Sequence, residues 1–281
     1  MNWLVIDNII KSALIEDNSF GDITTDPIIS NKSICTVSLI SKEHGIIAGL
    51  EVFERVFKIL GDVKVKYFIG EGESVDNGQV IGEIEGNTRK VLTGERVALN
   101  LLQRMSGIAT ITNKLVKEIE GTSAKLLDTR KTTPNLRILE KYAVTVGGGS
   151  NHRFNLSDGV LIKDNHIDAA GSIKNAVKRT REMAPFVRKI EVEVESLEQV
   201  REALDAKADI IMLDNMDLET LKKSVETIGN KAQTEASGNV TLETIRAIAE
   251  TGVNFISCGY ITHSYKAFDL SMKNLILKDN N

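Results

Sequence analysis

Basic residues recur at short intervals through the middle of the chain. They form the pairs Arg130-Lys131 and His152-Arg153, and Lys163 follows ten residues later. Arginine donates two parallel hydrogen bonds from a planar fork, which suits a carboxylate or a phosphate, and lysine adds a compact charge. Each residue taken alone is most simply an exposed surface group. Together they predict an anion site, in which a dicarboxylate would contact several of them.

Glutamates alternate with apolar residues between residues 189 and 195. If the apolar residues face the helices around a barrel, Glu191, Glu193 and Glu195 face its interior. Unpaired carboxylates are costly there, so they need lysines, arginines or a metal bound with a substrate. The alternative is an edge strand whose acidic side faces water.

Polar and glycine residues also follow the later apolar runs. Asp214 closes the run 210–213, where its carboxylate could ligate magnesium, accept hydrogen bonds from ribose hydroxyls or cap a helix. Ser237-Gly238 and Gly259 lie near the ends of the last two runs. Backbone N–H groups in such loops can cradle a phosphate, and a plain turn is the alternative.

Short apolar runs alternate with amphipathic segments from about residue 122 onward. From the third run on, successive starts fall about 20 residues apart, as in βα units of a closing parallel sheet. The predicted strands are 124–127, 159–162, 189–194, 209–213, 231–234 and 254–257. The first half instead mixes helices with short strands, such as 63–69, and ends in a helix from about Thr88 through Met105. This pattern predicts an α/β barrel whose polar strand ends converge on one face.

The composition and net charge of the chain limit the classes of function that it can have. The chain has 281 residues and a formal net charge of −4, so no global positive field favours nucleic acid or an anionic membrane. Cys35 and Cys258 lie far apart without metal-type spacing, which suits a reducing compartment. Residues 1–14 lack a basic leader, and no apolar stretch is long enough to span a bilayer. We therefore expect a cytoplasmic protein.

The order of several motifs resembles one enzyme family, the quinolinate phosphoribosyltransferases, also called nicotinate-nucleotide pyrophosphorylases (carboxylating). The matching segments are Gly21–Thr25, His44–Gly49, Glu95–Asn100, Asp128–Thr132, Gly147–Arg153, Leu161–His166 and Ser257–Gly259. The resemblance implies an N-terminal α/β sandwich domain over residues 1–107 and an incomplete, seven-stranded α/β barrel over residues 108–267. A tail of residues 268–281 would pack back on the first domain. The residues alone predict six of the seven strands.

The resemblance also implies a reaction and a set of roles. Quinolinate and 5-phosphoribosyl 1-pyrophosphate would give nicotinate mononucleotide, pyrophosphate and CO2, with Mg²⁺, in de novo NAD synthesis. The residues expected to bind quinolinate are Arg96, Arg130, Lys131, His152, Arg153 and Lys163. The residues expected to bind the phosphoribosyl donor are Lys131, Lys163, Glu193, Asp214, Ser237, Gly238 and Gly259. Of these, Glu193 and Asp214 would also hold the metal, and Lys131, Glu193 and Asp214 would be catalytic.

Arg96 carries a further implication, because the matching arginine of the family reaches the quinolinate pocket of a neighbouring subunit. The expected assembly is therefore a homodimer. One departure is visible at Ala236 and Asn239, where the family often has a second serine and a second glycine around Ser-Gly. Two alternatives stay open: a paralogue resembling the molybdenum-transport-associated relatives, with another acceptor, and a non-catalytic barrel that binds a phosphorylated metabolite.

Overall fold

The structure is a computed structural model that describes residues 1–278, so residues 279–281 of the predicted tail lie outside the described residues. The helices are α1 (Trp3–Asp17), α2 (Thr25–Ile28), α3 (Leu50–Leu60), α4 (Thr88–Glu118), α5 (Arg137–Val146), α6 (Asp164–Ala170), α7 (Ile173–Met183), α8 (Leu197–Asp205), α9 (Leu218–Ile228), α10 (Ile245–Glu250) and α11 (Tyr260–His263). The strands are β1 (Ile34–Ser41), β2 (Gly45–Ile46), β3 (Val63–Tyr67), β4 (Ser74–Val75), β5 (Val80–Asn87), β6 (Lys125–Leu127), β7 (Val160–Ile162), β8 (Ile190–Val194), β9 (Ile210–Asp214), β10 (Gln233–Ser237), β11 (Phe255–Ser257) and β12 (Leu270–Lys278). No helix among them is both long and apolar enough to cross a membrane.

The chain divides into two compact units. Among the described residues, the first comprises residues 1–112, 133–148 and 265–278, and the second comprises residues 113–132 and 149–264. The first unit contains an antiparallel sheet in the order β12-β1-β5-β3. Its β1 strand buries alternate residues, Cys35, Val37 and Leu39, as expected for a sheet with one face on a core. Helix α3 packs against β3 and buries its apolar face in the same unit.

The second unit is built around a parallel sheet in the order β6-β11-β10-β9-β8-β7. Helices α7 to α10 pack against its strands with their apolar faces, as α8 does with Val200 and Ala203. The sheet does not close, because β6 and β7 are its two ends. The incomplete α/β barrel is therefore confirmed. Six regular strands form it among the described residues, and Ser150 bridges Leu127 in parallel on the open side of β6.

Short polar side chains begin the helices that follow the strands. Ser172, Ser196 and Asp217 each accept a hydrogen bond from the backbone N–H three residues later, at the starts of α7, α8 and α9. Asp217 rather than Asp214 caps α9, so the helix-cap interpretation of Asp214 is wrong. Strand β8 lies between β7 and β9, which also excludes the edge-strand interpretation of its glutamates.

Candidate active site

A cleft of about 730 Å³ opens at the carboxyl ends of the parallel strands. All of its lining residues belong to the second unit. Strand register brings them together, because Ser237 pairs with Asp214 on one side and with Ser257 on the other. The predicted site residues in the lining are Arg130, Lys131, His152, Arg153, Lys163, Glu193, Asp214, Ser237, Gly238 and Gly259. The convergence expected from the strand ends is thus present.

Arg96 is the predicted site residue that does not line this cleft. It lies on α4 in the first unit, where its side chain is exposed. The sequence prediction gave this residue to the site of a neighbouring subunit. An exposed position is compatible with that role, and the role stays a prediction.

Lys163 and Glu193 form an ion pair inside the cleft. The Lys163 ammonium donates to Glu193 Oε2, and the two side chains are 41% and 14% exposed. Lys163 follows the end of β7, and Glu193 lies near the end of the neighbouring β8. One of the interior carboxylates predicted from the alternating segment therefore has the cation that it needs.

Glu191 also has a basic partner, whereas Glu195 does not face the interior. His152 Nε2 lies 3.1 Å from Glu191 Oε2 and 3.5 Å from Glu235 Oε2, with both glutamates buried. Glu195 lies just beyond the end of β8 and is exposed, so the prediction of three interior glutamates is wrong at that position. The strand ends before its alternation can turn Glu195 inward.

The His152 imidazole is held from both sides. The backbone N–H of Arg153 donates to His152 Nδ1 at 2.7 Å, which assigns Nδ1 as an acceptor and puts the ring proton on Nε2. That proton points toward Glu191 and Glu235. The ligand atoms of these three residues lie within 4.8 Å of one another, close enough to coordinate a cation.

Glu235 was not predicted as a site residue, because its segment was interpreted as a loop after a strand at 231–234. The strand runs instead from Gln233 to Ser237 and places Glu235 in the sheet interior. Burial, followed by the negative charge of Glu191, raises the pKa of Glu235 to about 8, and His152 partly opposes the shift. The sequence signal for this strand was the alternation of Thr234 and Ala236 with the polar residues Gln233, Glu235 and Ser237.

Two guanidinium groups share one side of the cleft. Burial lowers the pKa of Arg153, and the positive charge of Arg130 lowers it further, while Glu191 opposes both effects. Arg153 is anchored by a hydrogen bond from its guanidinium to the carbonyl of Gly159 at 2.9 Å. Two like charges held near each other in a half-buried cleft favour an anion between them.

Lys131 lies across the end of β11. A Cβ atom at Gly259 would be 2.8 Å from Lys131 Cδ, so a glycine there makes room for the lysine stem. The hydroxyl of Thr262 donates to the carbonyl of Lys131 at 2.7 Å and fixes this segment. The lysine side chain is exposed to the cleft, where it can contact a ligand.

The loop after β10 turns through left-handed backbone. Gly238 has a φ of 94° and Asn239 a φ of 51°. Asparagine tolerates this region better than other residues with a side chain. The departure noted at Asn239 therefore preserves the local backbone conformation, and Ala236 is buried within β10.

Comparisons with known proteins cover almost the whole chain. Residues 22–106 match the family model described as the quinolinate phosphoribosyl transferase N-terminal domain, and residues 108–273 match its C-terminal domain. A probable nicotinate-nucleotide pyrophosphorylase (carboxylating) of Bacillus subtilis is 45% identical over 97% of this chain and 94% of its own length. The corresponding Mycobacterium leprae enzyme is 41% identical over 94% of this chain and 95% of its own. The crystal structure of NadC from Streptococcus pyogenes superposes with a TM-score of 0.96, at 45% identity over 99% of both chains.

Proposed function

The chain belongs to the quinolinate phosphoribosyltransferase family, and on that premise we propose how its cleft performs the family's reaction. The enzyme transfers the phosphoribosyl group of 5-phosphoribosyl 1-pyrophosphate to quinolinate, with decarboxylation, in NAD biosynthesis. The relatives match over nearly their full lengths, and they lend no support to the paralogue with another acceptor or to a non-catalytic barrel.

The acceptor half of the cleft would hold the two carboxylates of quinolinate. Arg130 and Arg153 supply guanidinium forks, and Lys131 and Lys163 supply ammonium groups from the ends of β6 and β7. The observation that carries this proposal is that four cationic side chains line one cleft, where they can contact the two carboxylates of quinolinate. His152 would complete this side, with its ring oriented by Glu191 and Glu235.

The donor half would lie over β8 to β11. Glu193 and Asp214 offer carboxylate oxygens, the ligands that Mg²⁺ prefers, and both line the cleft. These residues therefore fit a magnesium ion bound with the donor, where the ion would neutralise charge on the pyrophosphate. Backbone N–H groups at Ser237, Gly238 and Gly259 would hold the 5-phosphate.

In the reaction itself, the residues of the cleft would orient the two substrates and stabilise the charges that develop on them. The pyridine nitrogen attacks the anomeric carbon of the donor. The bond between that carbon and the pyrophosphate oxygen breaks at the same time, and its electrons leave with pyrophosphate. Glu193 and Asp214 would stabilise positive charge that develops on the ribose, and Lys131 would stabilise negative charge on the departing group. The ring, now quaternised, loses its 2-carboxylate as CO2, and a proton takes its place.

Three further features belong to the same proposal. The enzyme would act as a homodimer in which Arg96 reaches the neighbouring active site, because a two-fold interface returns each contributed residue symmetrically. It would work in the cytoplasm. Its functional division would fall between residues 107 and 108, with residues 1–107 and the tail 268–281 forming the sandwich domain and residues 108–267 the catalytic barrel.

An acceptor screen tests the proposed function directly. The purified protein is incubated with 5-phosphoribosyl 1-pyrophosphate, Mg²⁺ and a panel of pyridine carboxylates, and pyrophosphate and CO2 are measured together. Equal release of both products with quinolinate, and neither product with nicotinate, is the expected result. Pyrophosphate release with a different acceptor, or donor binding without turnover, would contradict the proposal.

A further inference from the structure

Asn215 lies between two parts of the cleft that are proposed to bind the phosphoribosyl donor, Asp214 and the loop Ser237–Asn239. It directly follows β9, and its backbone N–H donates to the carbonyl of Ser237 at 2.9 Å. Its φ of 52° lies in the left-handed region, where asparagine is among the few tolerated side chains. The turn at this residue keeps it beside β10 instead of letting the chain continue away from the sheet.

The side-chain amide of Asn215 bonds to both parts at once. Its Nδ2 donates to Asp214 Oδ2 at 2.7 Å, and its Oδ1 accepts from Asn239 Nδ2 at 3.4 Å. An amide supplies a donor and an acceptor at the same short side-chain end. Aspartate at this position would lack the donor and would place a second negative charge beside Asp214.

Gly238 fits closely against the same amide. A Cβ atom added to Gly238 would lie 2.1 Å from Asn215 Oδ1 and 2.7 Å from its Cγ. The Asn215 carbonyl therefore packs directly on the glycine backbone, with no space for any side chain between them. This contact sets the position of the loop whose N–H groups are proposed to hold a phosphate.

We propose that Asn215 is a positioning residue for the phosphoribosyl donor, holding the Asp214 carboxylate and the Ser237–Asn239 loop in one arrangement so that both face the same ligand. The inference rests on the proposed function of the cleft and adds a specific cause of donor affinity. Of the cations proposed for quinolinate, Arg130, Lys131 and Lys163 follow β6 and β7, which are the two end strands of the sheet order, whereas the β9–β10 pair that Asn215 joins lies at its centre. Loss of the amide should therefore affect the donor and spare the acceptor.

The first test compares two asparagines with the same backbone conformation. Asn215→Gly keeps a residue suited to positive φ and removes the amide, whereas the matched control Asn274→Gly makes the same change at an exposed residue of β12 that does not line the cleft. Asn215→Gly should weaken the binding of 5-phosphoribosyl 1-pyrophosphate about tenfold or more, while the quinolinate KM changes by less than about twofold. Donor binding is measured by calorimetry without quinolinate as well as from KM, and Asn274→Gly should stay within about threefold of wild type.

The second test uses the close contact with Gly238. Gly238→Ala strains the backbone at a φ of 94° and also forces the Asn215 carbonyl to move, so it should weaken donor binding selectively. The double variant Asn215→Gly/Gly238→Ala removes the obstructing amide, so the alanine should cost less in that background than in the wild type. If Asn215→Gly fails to fold, Asn215→Asp decides the matter, because aspartate tolerates the same backbone conformation and lacks the amide donor.

Three results would overturn the positioning role: wild-type donor affinity in Asn215→Gly, equal losses for donor and quinolinate, or strictly additive effects in the double variant. Failure of the wild-type protein to form nicotinate mononucleotide would instead overturn the proposed function. The two failures are thus distinguishable, because the first appears only in the variants and the second appears without any substitution.

Discussion

Glu235 carries a buried carboxyl group that retains its proton to unusually high pH. Its side chain is 2% exposed, and His152 Nε2 lies 3.5 Å from its Oε2. Burial and the neighbouring charge of Glu191 raise its pKa from an ordinary 4.5 to about 8, against the opposing effect of His152. In the unfolded chain, the same carboxyl group loses its proton near the ordinary value.

This difference makes stability depend on pH with a definite sign. Between about pH 4.5 and about pH 8 the folded state binds more protons than the unfolded state, so the free energy of unfolding falls as pH rises. One proton gives a slope of about 1.4 kcal/mol per pH unit at most. Glu235→Gln is neutral at every pH and loses this slope. Relative to wild type, the variant should gain about 1 kcal/mol per pH unit, or roughly 2–4 °C in melting temperature.

Thermal unfolding followed by circular dichroism, in buffers from about pH 5 to about pH 8, measures the effect. Glu195→Gln is the matched control, because Glu195 lies next to the end of β8 and its side chain is exposed. Its melting temperature should follow that of wild type across the series. If the difference between Glu235→Gln and wild type is constant, or is largest at low pH, the Glu235 carboxyl group is ionised at neutral pH and the reasoning fails.

The remaining predictions concern the proposed roles of the cleft. Arg130→Ala and Lys163→Ala should reduce kcat/KM for quinolinate about 30-fold or more, because each removes a cation that faces a carboxylate. The control Lys222→Ala, at an exposed lysine, should have no effect. Wild-type kcat/KM for quinolinate in both cleft variants would show that the acceptor site is misplaced. Glu193→Gln and Asp214→Asn should lower kcat at least tenfold and shift the Mg²⁺ dependence of activity, with little change in quinolinate affinity. An unchanged Mg²⁺ dependence with near-normal kcat would contradict the assignment of these two residues to the metal-bound donor. Inactive Arg96→Ala and Lys163→Ala proteins, co-refolded, should recover about a quarter of wild-type activity, since about half the dimers are mixed and each mixed dimer has one intact site. No recovery, with mixed dimers confirmed by mass, would show that Arg96 does not act across an interface.

The strands of the parallel sheet were predictable where apolar runs were uninterrupted. The runs at 189–194 and 209–213 correspond to β8 and β9 within one residue. The run at 231–234 was placed too early, because Glu235 and Ser237 resemble loop residues when no partner is known. A buried glutamate on the inner side of a parallel strand needs a polar partner or a retained proton, and the partner of Glu235, His152, comes from a distant part of the chain.

The long helix α4 shows a similar limit. The sequence predicted a helix from about Thr88 through Met105, and the helix in fact runs on past Gly107 to Glu118. Glycine weakens a helix interior, so its local preference argues against continuation. A Cβ atom at Gly107 would lie 2.2 Å from the carbonyl of Lys266, which explains why only glycine fits there. Tertiary packing therefore requires a glycine at this position within the helix, and the neighbouring sequence gives no indication of that packing.

For the site, residue types predicted the chemistry, and the fold decided the partners. The need of buried glutamates for cations followed from desolvation alone. That need could not tell which basic residue meets which glutamate, because Lys163 and Glu193, and likewise His152 and Glu191, are distant in sequence and are brought together only by the fold. Asn215 shows the same gap for a neutral residue, since its role depends on a left-handed turn and on the absence of a side chain at Gly238. Charge identifies the residues that can contact a ligand, whereas the residues that orient them become visible only from the backbone geometry around them.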